Sequence, residues 1–125
     1  MRSLARIGVV VDGQPLVFPV NFALDGEGIV FRTEPGTMLS GVRHGPVAFE
    51  CDGTDDPSLH TAWSILATGP AIEVSNPVDL EHLHRLPLGP WCPGPLSIWL
   101  RMEPTTLTGR RIRPHHSRWS KRNDG

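Results

Sequence analysis

Short apolar runs alternate with tight polar turns along this chain, and that rhythm predicts strands. Residues 7–11 form an apolar run closed by Asp12-Gly13-Gln14-Pro15. A second run covers residues 16–22 before a turn at Leu24-Asp25-Gly26-Glu27-Gly28, and a third covers 29–33. An Asp-Gly pair between apolar runs signals a hairpin, because glycine supplies the positive φ of a tight turn. The three runs predict an antiparallel meander. In the second run Leu16, Phe18, Val20 and Phe22 share one side, which should face a core. Val17, Pro19, Asn21 and Ala23 share the other. That side is neither charged nor wholly apolar, which predicts cover by a helix, another chain or a ligand. Pro19 has no N–H for a ladder, so an edge or a bulge is expected there.

Beyond Thr33 the period changes. Met38, Leu39 and Val42 recur at helical spacing behind Thr37, a suitable N-cap, and predict a short helix. Residues 47–52 alternate again, with Val47, Phe49 and Cys51 inward and Glu50 and Asp52 outward. A polar loop is expected over 53–60, a strand over 62–68, a kink at Gly69-Pro70 and a strand over 71–74. Asn76-Pro77-Val78-Asp79 reads as a helix start: an Asn cap, proline at the first position and an acid in the first turn. Leu80, Leu83 and Leu86 would be its buried stripe. Residues 87–95 hold four prolines and predict a loop around Trp91 and Cys92. In the next strand, 96–102, Leu96, Ile98, Leu100 and Met102 share one face and Ser97, Trp99 and Arg101 the other. A last strand covers 106–112. The fold class that follows is mostly β, a β-barrel with short α insertions.

Length and composition narrow the function. A chain of 125 residues fits one domain, expected over residues 1–112, with 113–125 a basic tail lacking apolar period and read as disordered. Twelve Lys+Arg balance thirteen Asp+Glu, which argues against a chain-wide field for nucleic acid or membrane. No apolar run reaches membrane-spanning length, and Met1 leads almost directly into the first strand pattern, so no leader is expected. Cys51 and Cys92 lack metal spacing and suit free thiols in a reducing cytoplasm. The only lysine, Lys121, lies in the tail, so a Schiff-base lysine within the domain is excluded. Tyrosine is absent, which excludes a phenolic acid or base.

One constellation points to chemistry. Phe31-Arg32-Thr33 at a strand end, followed by Gly36-Thr37 opening a helix, would suit a phosphate. Arginine offers a planar fork of donors, the hydroxyls add more, and a helix start has free N–H groups. The plainer alternative makes Arg32 a surface strand residue and Thr37 only a cap. Other candidates carry less. Trp63, Trp91 and Trp99 suit a core or an interface as well as a ligand. His82 and His84, two apart on a helix, do not share a face and should meet solvent. His60 near Asp55 and Asp56 would be a metal or haem ligand only with further partners, and His115-His116 sits in the tail.

Several segments in order resemble one family. The stretch Val17-Phe18-Pro19-Val20-Asn21-Phe22-Ala23-Leu24-Asp25-Gly26, then Ile29-Val30-Phe31-Arg32-Thr33 and Gly36-Thr37, resembles the flavin-binding motif of the pyridoxamine 5'-phosphate oxidase-like split-barrel proteins. Val47-Ala48-Phe49-Glu50-Cys51-Asp52, Trp63-Ser64-Ile65, Gly69-Pro70-Ala71, Trp91-Cys92-Pro93-Gly94-Pro95 and Leu107-Thr108-Gly109-Arg110-Arg111-Ile112 are similar to its later segments. The resemblance covers residues 6–112 and extends to the nitroimidazole-resistance-type branch. It implies an FMN-binding split barrel, a homodimer with the cofactor at the subunit interface, and a flavin-dependent oxidoreductase acting on a small molecule. Deazaflavin or haem are the alternative cofactors, and a carrier or sensor without turnover the alternative function. By position, Arg32, Thr33 and Thr37, with Phe31 beside them, would hold the phosphate, and Pro19, Val20, Asn21 and Phe22 would flank the ring. Trp63 and Ser64 would line the same pocket, with Trp91 and Arg110 closing it, from the partner chain or this one. The family often has lysine after Gly36-Thr37. Met38 stands here and implies a weaker hold on phosphate.

Overall fold

A computed structural model describes residues 4–56, 58, 60–87 and 97–113. The elements in chain order are β1 (Leu4–Val11), β2 (Gln14–Asp25), β3 (Gly28–Thr33), α1 (Thr37–Arg43), β4 (Val47–Asp56), β5 (Thr61–Gly69), β6 (Ala71–Glu73), α2 (Pro77–His84), β7 (Ile98–Met102) and β8 (Thr106–Ile112). The strands form one curled sheet ordered β6-β7-β3-β2-β1-β4-β5-β8. Every pairing in it is antiparallel. The predicted loop around Trp91 and the tail beyond Arg113 lie outside the described residues.

The bend in β2 shapes everything near the site. Residues 14–21 pair with β1, whereas only Phe22–Asp25 pair with β3. β2 therefore changes partner between Asn21 and Phe22, and the sheet curls there. Pro19 pairs with Arg6 on one side and has no strand on its other side among the described residues. The edge predicted at Pro19 is present.

The core fills the inside of the curl. Ala5, Ile7 and Val9 of β1, Ile29 and Phe31 of β3, Val47 and Phe49 of β4, and Leu100 and Met102 of β7 are all buried in one cluster. Met38, Leu39 and Val42 of α1 close it, as the helical spacing predicted. A Cβ on Gly41 would stand 2.5 Å from Val9 Cβ, so only glycine lets α1 lie this close to β1. A smaller cluster lies on the outer face, where Leu83 of α2 packs on Ala23, Val30 and Trp99. α2 is thus the cover expected over Ala23. Its start is as predicted, with Asn76 Oδ1 accepting from Val78 N at 2.9 Å and Pro77 first in the helix.

Four expectations need correction. Thr37 is the first helical residue and Gly36 is the cap, at φ +157°, a conformation in which a side chain is strained, and no side chain caps the helix. The loop expected over 53–60 is largely strand, because β4 runs to Asp56 and β5 starts at Thr61, with a register shift between Thr54 and Asp56. Paired backbone continued where the apolar run had stopped. The strand expected over 71–74 closes at Glu73. Leu16 and Phe18, expected in the core, are only half-buried, because the inner face stays open at that end of β2.

Candidate functional site

The unpaired side of β2, the end of β3 and the start of α1 converge on one cleft. β3 cannot continue past Thr33 because Pro35 and Gly36 turn the chain into α1. A cavity of about 700 Å³ remains, lined by Leu4, Phe18, Pro19, Val20, Asn21, Arg32, Thr33, Glu34, Gly36, Thr37 and Met38. Small-molecule and cofactor sites typically measure about 300–1,000 Å³ and are mainly apolar with a few fixed polar groups. Leu4, Phe18, Pro19, Val20 and Met38 supply apolar wall, while Arg32 and Thr37 supply donors beside Thr33.

Each polar group has a defined setting. Arg32 is half-buried, and its guanidinium carbon lies 5.0 Å from the centroid of the Trp99 ring. Thr33 is buried and its hydroxyl donates to the Glu34 carbonyl at 3.0 Å, so its one proton is already committed. Thr37 is exposed on the first turn of α1. The earliest helical bond of that turn is Ser40 N to Gly36 O at 3.1 Å, so the preceding N–H groups have no partner within the helix. Met38 explains its own departure from lysine: it is buried in the core beneath α1, where an ammonium would be costly. Glu34 adds an acid at the rim.

The cleft therefore brings together Pro19, Val20, Asn21, Arg32, Thr33 and Thr37. Phe22 and Phe31 stand behind it. Phe31 is fully buried in the core, and Phe22 meets Phe49 edge-on at 5.0 Å. Trp63 and Ser64 lie on β5, separated from β1 by β4, and do not line this cleft within one chain. Trp63 packs across Gly53, while Ser64 is in register with Arg110 on the edge strand β8. Trp91 lies outside the described residues. The sequence reading missed Leu4, Phe18 and Glu34 as lining residues, while Met38, read both as helix packing and as standing at the family's phosphate-lysine position, does line the cleft. It also missed Trp99 beneath Arg32, a juxtaposition set by the pairing of β3 with β7.

Several other charged groups form ion pairs away from the cleft. Arg6 bridges Glu50 and Asp52, Arg43 bonds Glu73, and Arg111 bonds Asp55. His82 and Arg101 converge on Asp25, and the His82 hydrogen bond holds that carboxyl below its ordinary range despite partial burial. Burial, aided by the carboxylates of Glu50 and Asp52, pushes the Cys51 thiol up, which makes it a poor nucleophile. No group of three or more His, Cys, Asp and Glu able to hold a metal occurs among the described residues, His60 included. No described helix is long and apolar enough to cross a membrane.

Comparison with known proteins agrees with this geometry. An uncharacterised protein of Mycobacterium tuberculosis is 35% identical over 123 residues, spanning 90% of this chain and 80% of its own length. A solved structure of an FAD-binding protein from Mycobacterium smegmatis is 36% identical with a TM-score of 0.75, covering 90% of this chain and 88% of that one. An FAD-binding protein from Mesorhizobium loti shares the fold at a TM-score of 0.73 and 20% identity, covering 89% of this chain and 87% of that one. The sequence profile described as pyridoxamine 5'-phosphate oxidase matches residues 2–111. With that match over nearly the whole sheet, the chain belongs to the pyridoxamine 5'-phosphate oxidase family and has its split-barrel fold.

Proposed function

We propose that this protein binds FMN in the cleft and acts as a flavin-dependent oxidoreductase on a small molecule. One observation carries the reading: a largely apolar cleft of cofactor size has Arg32 and Thr37 at one end. The residues present fit the group. The guanidinium fork of Arg32 suits phosphate oxygens, and Pro19, Val20 and Asn21 offer a wall for a flat ring. Phe18 and Leu4 add apolar wall beside them. Once bound, the flavin would supply the electron transfer, and the protein its position and electrostatics. That division accounts for the lack of an acid–base dyad at the cleft among the described residues. A free Cys51 thiol suits a cytoplasmic setting.

A homodimer goes with this reading. Ile65 is in register with Cys51, and Leu107 with Ala67, so both face the inside of the curl. Yet Ile65 is 37% exposed and Leu107 67% exposed. A second copy covering that apolar face would bring Trp63, which shares it, near a partner's cleft, whereas Arg110, in register with Ser64, lies on the opposite face.

A second flavin deserves a place beside FMN. The Mycobacterium smegmatis relative at 36% identity binds FAD. A terminal phosphate carries roughly −1.5 to −2 charges near neutrality. The diphosphate of FAD spreads its charge over two groups, which suits a site with Arg32 and no lysine at Met38.

The absorption spectrum of the purified chain, before and after adding FMN or FAD and removing excess, tests the reading. The expected result is a retained flavin band that bleaches with a reduced nicotinamide, on a species of two chains by sedimentation. Retained flavin that no reductant of this type bleaches would make the protein a carrier. Colourless protein with every flavin would overturn the proposal.

A further inference from the structure

Trp99 sits where the smaller hydrophobic cluster meets the cleft. It is 4% exposed and packs with Ala23, Val30 and Leu83. Arg32 is its direct partner in the β3–β7 ladder, so both side chains emerge on the same face of the sheet. The Arg32 guanidinium carbon lies 5.0 Å from the indole centroid. The His84 ring of α2 also stands 5.8 Å from the indole centroid, and Leu83 packs in the same cluster.

The chemistry of that indole is informative. Its Nε1–H is buried and finds no hydrogen-bond partner among the described residues. A buried donor without a partner is destabilising. Leucine or phenylalanine would fill the same apolar site without that cost. The feature that tryptophan alone adds in full is a wide, electron-rich ring face, the best of the aromatic platforms for a cation. A half-buried guanidinium resting on such a face loses rotamer freedom before any ligand arrives, so less is lost when it grips an anion.

We propose that Trp99 is a positioning residue for the cleft: its ring face holds Arg32 in the orientation that receives the phosphate of a bound flavin. The inference rests on the flavin reading above and adds a requirement that reading does not make. Trp99 lies outside the lining of the cleft, so its effect passes through Arg32. Phosphate affinity should then depend on a residue that touches neither ring nor phosphate. It should also depend on α2, which presses Trp99 onto the sheet.

The test compares FMN with riboflavin, which lacks the phosphate, by fluorescence titration of the full chain. Wild type, Trp99→Phe, Trp99→Leu, Arg32→Ala and the double variant Arg32→Ala/Trp99→Leu are measured together. Trp99→Leu should weaken FMN about tenfold and riboflavin less than about twofold. Trp99→Phe keeps a ring face and should stay within about threefold of wild type for FMN. In the Arg32→Ala background, Trp99→Leu should have no further effect on FMN. Should Trp99→Leu fail to fold, Trp99→Met removes the ring with less loss of packing and serves in its place. Equal loss of FMN and riboflavin in the leucine variant would overturn the proposal, as would Trp99→Phe binding FMN as poorly as Trp99→Leu. An additive loss in the double variant would overturn it too. If Arg32→Ala itself leaves the FMN-to-riboflavin ratio unchanged, the phosphate reading has failed first, and the two failures are told apart.

Discussion

At the scale of single residues, Arg32 decides whether the cleft is a phosphate site or only a gap in the packing. It lines the cleft beside Thr33 and Thr37 and rests on Trp99. Hydrogen bonds to a charged group contribute about 1.5–3 kcal/mol when made well. Arg32→Ala should therefore weaken FMN about 10- to 100-fold and leave riboflavin nearly unchanged, as measured by calorimetric titration. An equal loss for both would remove Arg32 from the phosphate role. The sequence displayed this residue plainly, because an arginine at a strand end before a Gly-Thr pair has a recognisable chemistry. Thr33 was less legible. Its hydroxyl proton is taken by the Glu34 carbonyl, a local bond that residue type alone does not reveal. Met38 was legible in its packing, since helical spacing put it on the buried face of α1, where it anchors the helix in the core.

At the scale of elements, the docking of α2 onto the sheet combines apolar packing with a charge cluster at the β2–β3 turn. Asp25 accepts from His82 Nε2 at 2.9 Å and from Arg101 Nη1 at 2.7 Å, while Arg101 Nη2 donates to the Asp25 carbonyl at 2.9 Å. These bonds join the turn, α2 and β7. The Asp25 carboxyl is held below its ordinary range, first by the His82 hydrogen bond and then by Arg101, with burial acting against them. A lowered folded value means the contribution to stability is complete above the unfolded carboxylate pKa of about 3.9 and is lost as pH falls through the folded value. Asp25→Asn should melt about 2–4 °C below wild type at pH 7, and the gap should shrink as pH falls below about 4. A gap that persists unchanged into acid would show that the ionised carboxylate is not what matters. The caps and apolar stripe of α2 were readable, because Asn76-Pro77 and the leucine spacing are local signals. Its attachment through Asp25 was not, because His82 and Arg101 reach that turn from distant parts of the chain. The same limit explains the β4–β5 hairpin. Its strands continue past the last apolar residue on the strength of cross-strand pairing.

At the scale of the whole molecule, the order β6-β7-β3-β2-β1-β4-β5-β8 determines which residues meet. Most strands and the first two turns followed from alternation and Asp-Gly pairs, although six or seven strands were expected and the sheet has eight, and the family followed from several motifs in order. The strand order is a long-range property, and it separates residues that the motifs grouped together. Trp63, Ser64 and Arg110 lie on the β5–β8 side, away from the cleft of their own chain. In the proposed dimer a second copy would bring Trp63 to a flavin, which makes dimer and cofactor parts of one proposal. The most direct measurement is a titration of the isotopically labelled chain with FMN, following backbone amide signals by NMR. The account predicts saturable shifts clustered at Val20, Asn21, Arg32, Thr33, Thr37 and Met38. Saturable shifts confined to other parts of the sheet, or none at all, would contradict it.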